Sequence, residues 1–299
     1  MKKTLLLASF LSLLVSCSSA HPTVTLALLG DLMLGRAVEP TPASLAYLAP
    51  ELQAADLSLA NLESPLANIP PAANTGAGYN LCASAARASL LTTWGLDLLS
   101  VTNNHRFDCG PDGPHETASI LTTAGLAPVG SGPETLYRQV HGLKLAFLAF
   151  DDILSPIDAT TAVQTIQSAR GQAAVVVVSV HWGMEYQAGP TERQKDLARQ
   201  FADAGAALVV GSHPHVLQPA EWIPTGQGKT LVLYSLGNAL FDQPGLPDTR
   251  QSALVVVKLD ANGVQSIRLV PFVIDVPGSR VTAADARAAQ QIHLSLGLP

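Results

Sequence analysis

Short apolar runs recur along the whole chain, and they predict the buried strands of an α/β domain. The run Val175–Val178 contains no polar residue, which indicates a strand covered on both faces, as in a sheet between two layers. The predicted strands are Val24–Leu29, Leu57–Ala60, Leu96–Val101, Leu145–Phe150, Ala174–Val180, Ala207–Val210, Leu231–Tyr234, Leu254–Leu259 and Ile267–Ile274.

Helical patterns lie between these runs. The clearest begins at Thr191, which forms a predicted capping box with Gln194, and it places Leu197 and Phe201 on one face. The repeated order of strand, helix and strand predicts an α/β layered domain. The last two strands follow each other without a helix. The residues between them, Asp260–Gly263, are typical of a hairpin turn, so we expect a second, partly antiparallel sheet there.

Composition agrees with a packed globular protein. The chain has 299 residues, of which 47% are hydrophobic and 13% are charged. Its net charge is −6, and no basic run interleaved with aromatic residues occurs. Nucleic acid is therefore not an expected partner.

The first residues have the features of an export signal. Lys2 and Lys3 precede the apolar run Thr4–Leu14, which is too short to cross a bilayer of about 30 Å. The ending Leu14-Val15-Ser16-Cys17 resembles a bacterial lipobox, which implies lipidation of Cys17. We therefore expect an extracytoplasmic lipoprotein, membrane-anchored at the cell surface or in the periplasm. Its segments are a signal peptide over 1–16, a lipidated tether over 17–23 and one domain over 24–299. An ordinary cleavage site near Ser19-Ala20 is the alternative.

Two further cysteines, Cys82 and Cys109, leave two possibilities open. Outside the cytoplasm they are free to form a disulfide. Two buried free thiols fit the sequence equally well.

Polar residues suited to metal binding follow five of the predicted strands. These segments are Gly30-Asp31, Asn61-Leu62-Glu63, Asn103-Asn104-His105, His181-Trp182-Gly183 and Gly211-Ser212-His213-Pro214-His215. Open α/β sheets bind ligands at the carboxyl ends of their strands. The shared position therefore predicts one site at that edge.

The residue types in these segments favour a divalent metal, one or two ions. Carboxylate, amide and imidazole ligands suit Mn, Fe, Zn or Mg, whereas a soft thiolate site would need cysteines. His213 and His215 are two residues apart, so in extended backbone both imidazoles face one pocket. A bridging carboxylate could hold two ions that orient a water and lower its pKa.

The order and the amino-acid sequences of these segments resemble one known family. NLE at Asn61–Glu63, HWGMEY at His181–Tyr186, GSHPHVLQP at Gly211–Pro219 and SLGN at Ser235–Asn238 are similar to the CapA/PgsA branch of the calcineurin-like metallophosphoesterases. That branch is associated with capsule and poly-γ-glutamate synthesis. The resemblance covers roughly residues 24–260. It implies a four-layer α/β/β/α sandwich of two mixed sheets.

The resemblance also implies roles for individual residues. The residues of the first ion site would be Asp31, Glu63 and His215. Glu63 would bridge to a second ion, held also by Asn104, His181 and His213. His105 would protonate the leaving group. Glu185 and Trp182 would line the pocket. A packing role is the favoured alternative for Trp182, so Glu185 is the better pocket candidate and the second candidate catalytic residue.

This sequence departs from the broader phosphoesterase pattern at Met33. Those enzymes have Asp-x-His where this chain has Asp31-Leu32-Met33. A thioether is a poor ligand for hard or borderline ions, so the first ion site is expected to be weak or differently built. The bridging residue is Glu63 in place of the usual aspartate.

Some other polar residues near the motifs have weaker assignments. Arg36 is a candidate for binding an anionic substrate group, and Asn238 and Asp242 are candidates for supporting the site. The histidines that match no motif are interpreted as surface or local packing residues; they are His21, His115, His141 and His293.

Three functions follow as hypotheses. The first is a metal-dependent hydrolase acting on an extracytoplasmic polymer, either an anionic polymer or a peptide-like substrate. The second is a non-catalytic, lipid-anchored accessory subunit that works with polymer synthase or export proteins. The third is a metallophosphoesterase. A fold and a ligand set shared by many chemistries do not identify the substrate.

Overall fold

The computed structural model describes residues 22–71, 79–132, 134–243, 245–276 and 278–298. The predictions for the signal peptide, for Cys17 and for His21 lie outside the described residues. No helix within the described ranges is long and apolar enough to cross a membrane.

The described chain alternates strands and helices. Its strands are β1 (Val24–Leu32), β2 (Leu57–Leu62), β3 (Leu66–Ala67), β4 (Ala83–Ser84), β5 (Leu98–Ser100), β6 (Ala127–Val129), β7 (Leu136–Val140), β8 (Leu143–Asp151), β9 (Val175–His181), β10 (Leu208–Ser212), β11 (Leu217–Thr225), β12 (Gly228–Leu236), β13 (Asn238–Leu240), β14 (Gln251–Asp260), β15 (Gly263–Ile274) and β16 (Val281–Ala283). Its α-helices are α1 (Ala49–Ala54), α2 (Ala88–Trp94), α3 (Gly113–Thr123), α4 (Ala159–Arg170), α5 (Glu192–Asp203) and α6 (Ala286–Leu296).

The strands form two large mixed sheets. The first has the order β16-β15-β14-β1-β2-β5-β6, with β13 also pairing with β1. In it β1, β2, β5 and β6 run parallel, whereas β14, β15 and β16 are antiparallel additions. The second sheet has the order β11-β12-β10-β9-β8-β7, with a parallel centre and an antiparallel strand at each edge.

Three apolar clusters hold four layers together. The residues between the two sheets include Leu26 of β1 and Val177 of β9. A second cluster fills the space between the first sheet and α1, α2 and α3, and includes the fully buried Trp94. A third lies between the second sheet and α4 and α5, and includes Phe201. The predicted α/β/β/α sandwich of two mixed sheets is therefore confirmed.

The uninterrupted apolar strand behaves as its sequence predicts. Val175 and Val177 point into the cluster between the sheets, while Val176 and Val178 point towards α4 and α5. The capping box of Thr191 and Gln194 is also present at the start of α5.

One expectation about topology is wrong. The Asp260–Gly263 turn does join an antiparallel hairpin, but the hairpin does not form a second sheet. Because β14 pairs with β1 in antiparallel register, the hairpin instead extends the first sheet. The second sheet is built around β9.

The strands that the sequence pattern missed are short or lie at the sheet edges. In β11, Pro219, Glu221 and Pro224 break the apolar run, and prolines are tolerated at an edge because one side of the strand needs no ladder hydrogen bond. In β7 every described side chain is at least partly exposed, so it has no buried face to detect.

Cys82 and Cys109 form a disulfide, which resolves the alternatives that the sequence left open. It joins the segment after β3 to the turn after β5.

Candidate metal centre

The parallel strands of both sheets end at one place, and the predicted ligand residues lie there. Asp31 is near the end of β1 and His181 is the last residue of β9. The remaining predicted ligands lie in the segments that follow β2, β5 and β10; they are Glu63, Asn104, His213 and His215. The structure thus brings all six together, and their role as ligands stays a prediction.

Two glycines of the motifs allow this close approach. A Cβ atom on Gly30 would collide with the backbone of Gly237, and one on Gly211 would collide with the backbone of Tyr234. The first contact brings the chain just before Asp31 against the start of β13, and the second brings β10 against β12.

Both carboxylates of the centre are completely buried. The side-chain nitrogen of Asn61 donates to Asp31 Oδ1 at 2.8 Å and to Glu63 Oε2 at 2.6 Å. Burial raises the pKa of Glu63 well above its usual range, and the nearby charge of Asp31 raises it further. A buried carboxylate is costly without a compensating charge, which indicates a place for a cation.

The second oxygen of Glu63 is the focus of the centre. Glu63 Oε1 is buried and accepts no hydrogen bond. Three imidazole Nε2 atoms surround it, at 3.8 Å from His181, 4.0 Å from His105 and 4.0 Å from His215. Buried polar atoms in native proteins almost always have partners, so this arrangement indicates a missing one.

Supporting hydrogen bonds orient two of these imidazoles. His181 Nδ1 lies 2.9 Å from Ser212 Oγ, and His215 Nδ1 lies 2.9 Å from Asn238 Oδ1. Asn238 donates through Nδ2 to the carbonyl oxygen of Thr249 at 3.0 Å, so its Oδ1 is the acceptor for His215. For His215 this puts the proton on Nδ1 and leaves Nε2 to bind a metal. The predicted supporting role of Asn238 thus has a physical basis.

His213 is neutral, buried and strained. Its Nδ1 is buried with no hydrogen-bond partner, and its backbone N–H donates to Asp31 Oδ2 at 3.2 Å. Burial and the neighbouring His215 lower the pKa of His213 to about 4, and burial lowers the pKa of His181 well below its usual range. The φ angles of His213 and His215 are 97° and 60°. Strain of this kind in non-glycine residues is concentrated at functional sites.

These residues fit a divalent metal ion. Asp31, Glu63 and His181 each offer a ligand atom, and the three atoms lie within 4.8 Å of one another. The donor set of carboxylate oxygens and neutral imidazoles is one that divalent ions prefer. Glu63 Oε1 and His213 Nδ1 are buried without a hydrogen-bond partner, and contact with such an ion would give each of them a partner.

On one side of Glu63 the surroundings are polar. Asn104 Oδ1 lies 2.7 Å from His181 Nε2. His105 Nδ1 lies 2.9 Å from Asp108 Oδ2, which also accepts the backbone N–H of Leu81 at 2.7 Å. The sequence reasoning missed Asp108. Its position three residues after His105, within the same turn, was the available signal.

On the other side the surroundings are apolar. Met33 is fully buried in a small cluster with Val38, Leu81 and Phe241. The ring of Phe241 lies 4.4 Å from the ring of His215. Met33 therefore packs inside this apolar cluster.

The structure bears on the assignments of Trp182 and Arg36, and for Trp182 it agrees with the packing interpretation. Trp182 does not line the pocket. It is fully buried beneath the site, donates through Nε1 to the carbonyl oxygen of Tyr234 at 2.9 Å and stacks on Phe201. The guanidinium of Arg36 pairs with Asp242 through Nε and one terminal nitrogen, and its role in binding an anionic group stays a prediction.

Glu185 and Tyr186 lie on the loop after β9, and both are exposed. The charge of Glu185 contributes to raising the pKa of Glu63, which places it near the centre. The ring of Tyr186 is 6.1 Å from that of His215, and burial followed by the charge of Glu185 raises the pKa of Tyr186 to about 12. The catalytic role of Glu185 stays a prediction.

The histidines without a motif are apart from this centre. His115 is exposed on α3, His141 pairs with Asp56 at 2.6 Å, and His293 contacts the carbonyl oxygen of Leu298. For these three, the interpretation as surface or local packing residues is confirmed.

Solved structures share the architecture. A hypothetical protein from Thermus thermophilus matches with a TM-score of 0.53 and 18% identity, over 83% of this chain and 98% of the other. The NAD nucleotidase NadN of Haemophilus influenzae matches with a TM-score of 0.54 and 12% identity, over 93% of this chain and 57% of the other. These likenesses show the fold that this chain shares with them, two mixed sheets between helical layers.

Sequence comparison identifies the family. Residues 25–243 match the family described as "Bacterial capsule synthesis protein PGA_cap". The PGA biosynthesis protein CapA of Bacillus subtilis (strain 168) is 33% identical over 269 residues, which cover 81% of this chain and 70% of that protein. The capsule biosynthesis protein CapA of Bacillus anthracis is 32% identical over 280 residues, covering 83% and 67%. The chain belongs to the PGA_cap family and is a CapA-like capsule biosynthesis protein.

Proposed function

We propose that this protein is a metal-dependent hydrolase that processes a capsule-type polymer of the poly-γ-glutamate kind. The observation that carries the proposal is the buried Glu63 Oε1 atom, which lies among three imidazole Nε2 atoms and accepts no hydrogen bond. The relatives are named for capsule and PGA biosynthesis, which supports a polymer of that class as the substrate.

The proposal assigns the side chains of the centre to two roles, ion binding and proton transfer. Asp31, Glu63, Asn104, His181, His213 and His215 would hold the ion or ions. The chemistry that a bound divalent ion supplies is polarisation of a substrate oxygen and acidification of a water. His105 is partly exposed and held by Asp108, so it is positioned to give a proton to the leaving group.

We also propose that the protein works outside the cytoplasm and is anchored by a lipid at Cys17. The lipobox-like ending and the apolar run before it support this location. The Cys82–Cys109 disulfide agrees with an oxidising compartment.

A second candidate is the accessory subunit of a synthesis or export complex, a protein that handles the polymer without turnover of its own. The observation that favours it is the apolar packing of Met33 at a position where phosphoesterases have a ligand. In this case the partners would be polymer synthase or export proteins, and the lipid anchor would matter more than the ligands.

The experiment compares polymer processing by the wild type and by His213→Ala, after metal analysis of each. His115→Ala is the matched control, because it removes an exposed histidine outside the centre. The hydrolase proposal predicts loss of processing in His213→Ala alone. Unchanged processing by a folded His213→Ala protein would reject it.

The accessory proposal makes a different prediction. A protein that lacks both Asp31 and His215 should still support polymer export, whereas one that lacks Cys17 should not. The reverse pattern would reject the accessory role. A third candidate, phosphoesterase activity, predicts turnover of simple phosphoesters that a chelator abolishes and Mn²⁺ restores.

A further inference from the structure

Asn61 lies between the two buried carboxylates of the centre. Its amide nitrogen has two N–H groups, and both are used: one donates to Asp31 Oδ1 at 2.8 Å and the other to Glu63 Oε2 at 2.6 Å. The residue is almost completely buried, with 4% of its surface exposed. Each carboxylate therefore has one oxygen held by Asn61 and one oxygen left over.

The oxygens that are left over face the histidines. Asp31 Oδ2 lies 3.3 Å from His215 Nδ1 and accepts the backbone N–H of His213 at 3.2 Å. Glu63 Oε1 lies among the Nε2 atoms described above. A rotation of either carboxylate would exchange its held oxygen for its free one and change the donor set.

The orientation of the Asn61 amide is itself fixed by a chain of hydrogen bonds that starts at a backbone group. The N–H of His105 donates to Asn103 Oδ1 at 3.0 Å, so the Asn103 amide nitrogen points the other way. That nitrogen donates to the Leu62 carbonyl oxygen at 2.8 Å and to Asn61 Oδ1 at 3.3 Å. Asn61 Oδ1 is thus the acceptor, and its nitrogen must face the carboxylates.

We propose that Asn61 is a positioning residue that selects which oxygen of Asp31 and which oxygen of Glu63 is presented to a divalent ion. It does so with neutral N–H groups, so it orients the two acids without neutralising them. Asn103 positions Asn61 in turn. The inference rests on the proposed metal centre but not on any particular reaction at it.

The test measures ion binding and not turnover. Mn²⁺ affinity is measured by calorimetry, and the coordination geometry by the visible absorption of the Co²⁺-loaded protein. Asn61→Leu removes both donors and should weaken Mn²⁺ binding about 10- to 100-fold, as is typical when a partner supporting a metal ligand is lost. It should also change the Co²⁺ spectrum. Asn61→Ser keeps one donor and should fall between Asn61→Leu and the wild type.

Asn61→Asp should lower the melting temperature without an ion and increase the stabilisation that Mn²⁺ provides. With chelator the variant should melt at a lower temperature than the wild type, because a third carboxylate meets two buried ones. The upward shift of the melting temperature on adding Mn²⁺ should then be larger than in the wild type. The matched control is Asn68→Asp, because Asn68 also donates to a carboxylate, that of Glu116 at 2.8 Å, but at an exposed position. It should change neither measurement.

Wild-type affinity and a wild-type Co²⁺ spectrum in folded Asn61→Leu would overturn the proposal. If that variant does not fold, Asn103→Leu decides. It leaves the Asn61 donors in place but removes the group that orients them, so affinity should fall by a smaller factor, and no change would overturn the proposal. A wild type that binds Mn²⁺ but hydrolyses no polymer would reject the hydrolase function and leave this test intact.

Discussion

The two sides of Glu63 differ in what surrounds the ligand residues. On one side, His181 contacts Asn104 and Ser212, and His105 contacts Asp108. The other side has Asp31 and His215. Asn61 and Asn238 hold them by hydrogen bonds, but the ring of Phe241 packs on His215, and Phe241 belongs to the apolar cluster that also contains Met33, Val38 and Leu81.

This difference indicates unequal affinity for ions. Asn104 and His105 add polar groups beside His181, whereas Phe241 and Met33 offer no ligand atom suited to a divalent ion on the side of His215. We therefore expect the side of Asn104 and His181 to bind an ion more tightly than the side of Asp31 and His215. A two-ion phosphatase does not follow from the fold alone.

The largest expected effect comes from removing a histidine on the polar side. His181→Ala should weaken Mn²⁺ binding about 1,000-fold, or about 4 kcal/mol. His215→Ala should weaken it several-fold less, because the apolar side is expected to contribute less. Calorimetry at one pH compares the two variants, with His115→Ala as the control for loss of an exposed imidazole. If the two variants lose the same Mn²⁺ affinity, the two sides do not differ in affinity as proposed.

The disulfide links the two sides, so its loss should affect both. Cys82 follows Leu81 of the apolar cluster, and Cys109 follows Asp108, the partner of His105. Replacing both cysteines with serine should lower the free energy of unfolding by roughly 3 kcal/mol, given the length of the closed loop. Hydrogen exchange should rise at both segments more than in α5. If hydrogen exchange at the two segments is the same in the double serine variant as in the wild type, the disulfide does not link the two sides.

Glu63 serves both sides, and its replacement should have effects of opposite sign with and without an ion. Because burial raises its pKa above the ordinary 4.5, the folded protein without an ion loses stability as pH rises through the shifted pKa. With chelator at pH 8, Glu63→Gln should therefore be more stable than the wild type by about 1–2 kcal/mol.

That gain should shrink as the pH falls towards 4.5, where the carboxyl is protonated in the folded wild type. With saturating Mn²⁺ the order of stability should reverse, because the glutamine is a poorer ligand. Thermal melting between pH 4.5 and pH 8 measures the stability difference between Glu63→Gln and the wild type, once with chelator and once with Mn²⁺. A variant that is less stable than the wild type in chelator at pH 8 would contradict the account.

The smallest expected effect is at Met33. Met33→His restores the residue type that phosphoesterases have there and should add a second, weaker ion to the stoichiometry measured by calorimetry. The polar ring in an apolar cluster should cost about 1 kcal/mol of stability without an ion. Met33→Leu controls for the change of packing and should leave the stoichiometry unaltered. An unchanged stoichiometry in Met33→His would show that the missing histidine does not explain the weak side.

Sequence was sufficient for those parts of the molecule that depend on local pattern. The apolar run of β9 and the capping box at Thr191 depend on residues close in the chain, and both are found as predicted. The ligand residues could be located because they follow parallel strands, whose carboxyl ends meet at one edge.

Contacts between distant segments were beyond that reasoning. The pairing of Arg36 with Asp242 joins residues that no periodicity relates, and the burial of Trp182 depends on the packing of Tyr234 and Phe201. The hairpin of β14 and β15 could pair with either sheet, because the turn sequence predicts the hairpin but not the strand that lies beside it. Asn61 belongs to the motif that follows β2, but its role becomes visible only from its distances to both carboxylates.

Anomalous diffraction from a crystal of the protein soaked in Mn²⁺ tests the central claim most directly. We predict a strong anomalous peak in contact with Glu63 Oε1 and the side chains of His181 and Asn104. A weaker peak, or none, is expected beside Asp31 and His215. An absence of any peak in contact with Glu63 at saturating Mn²⁺ would contradict the proposed metal centre.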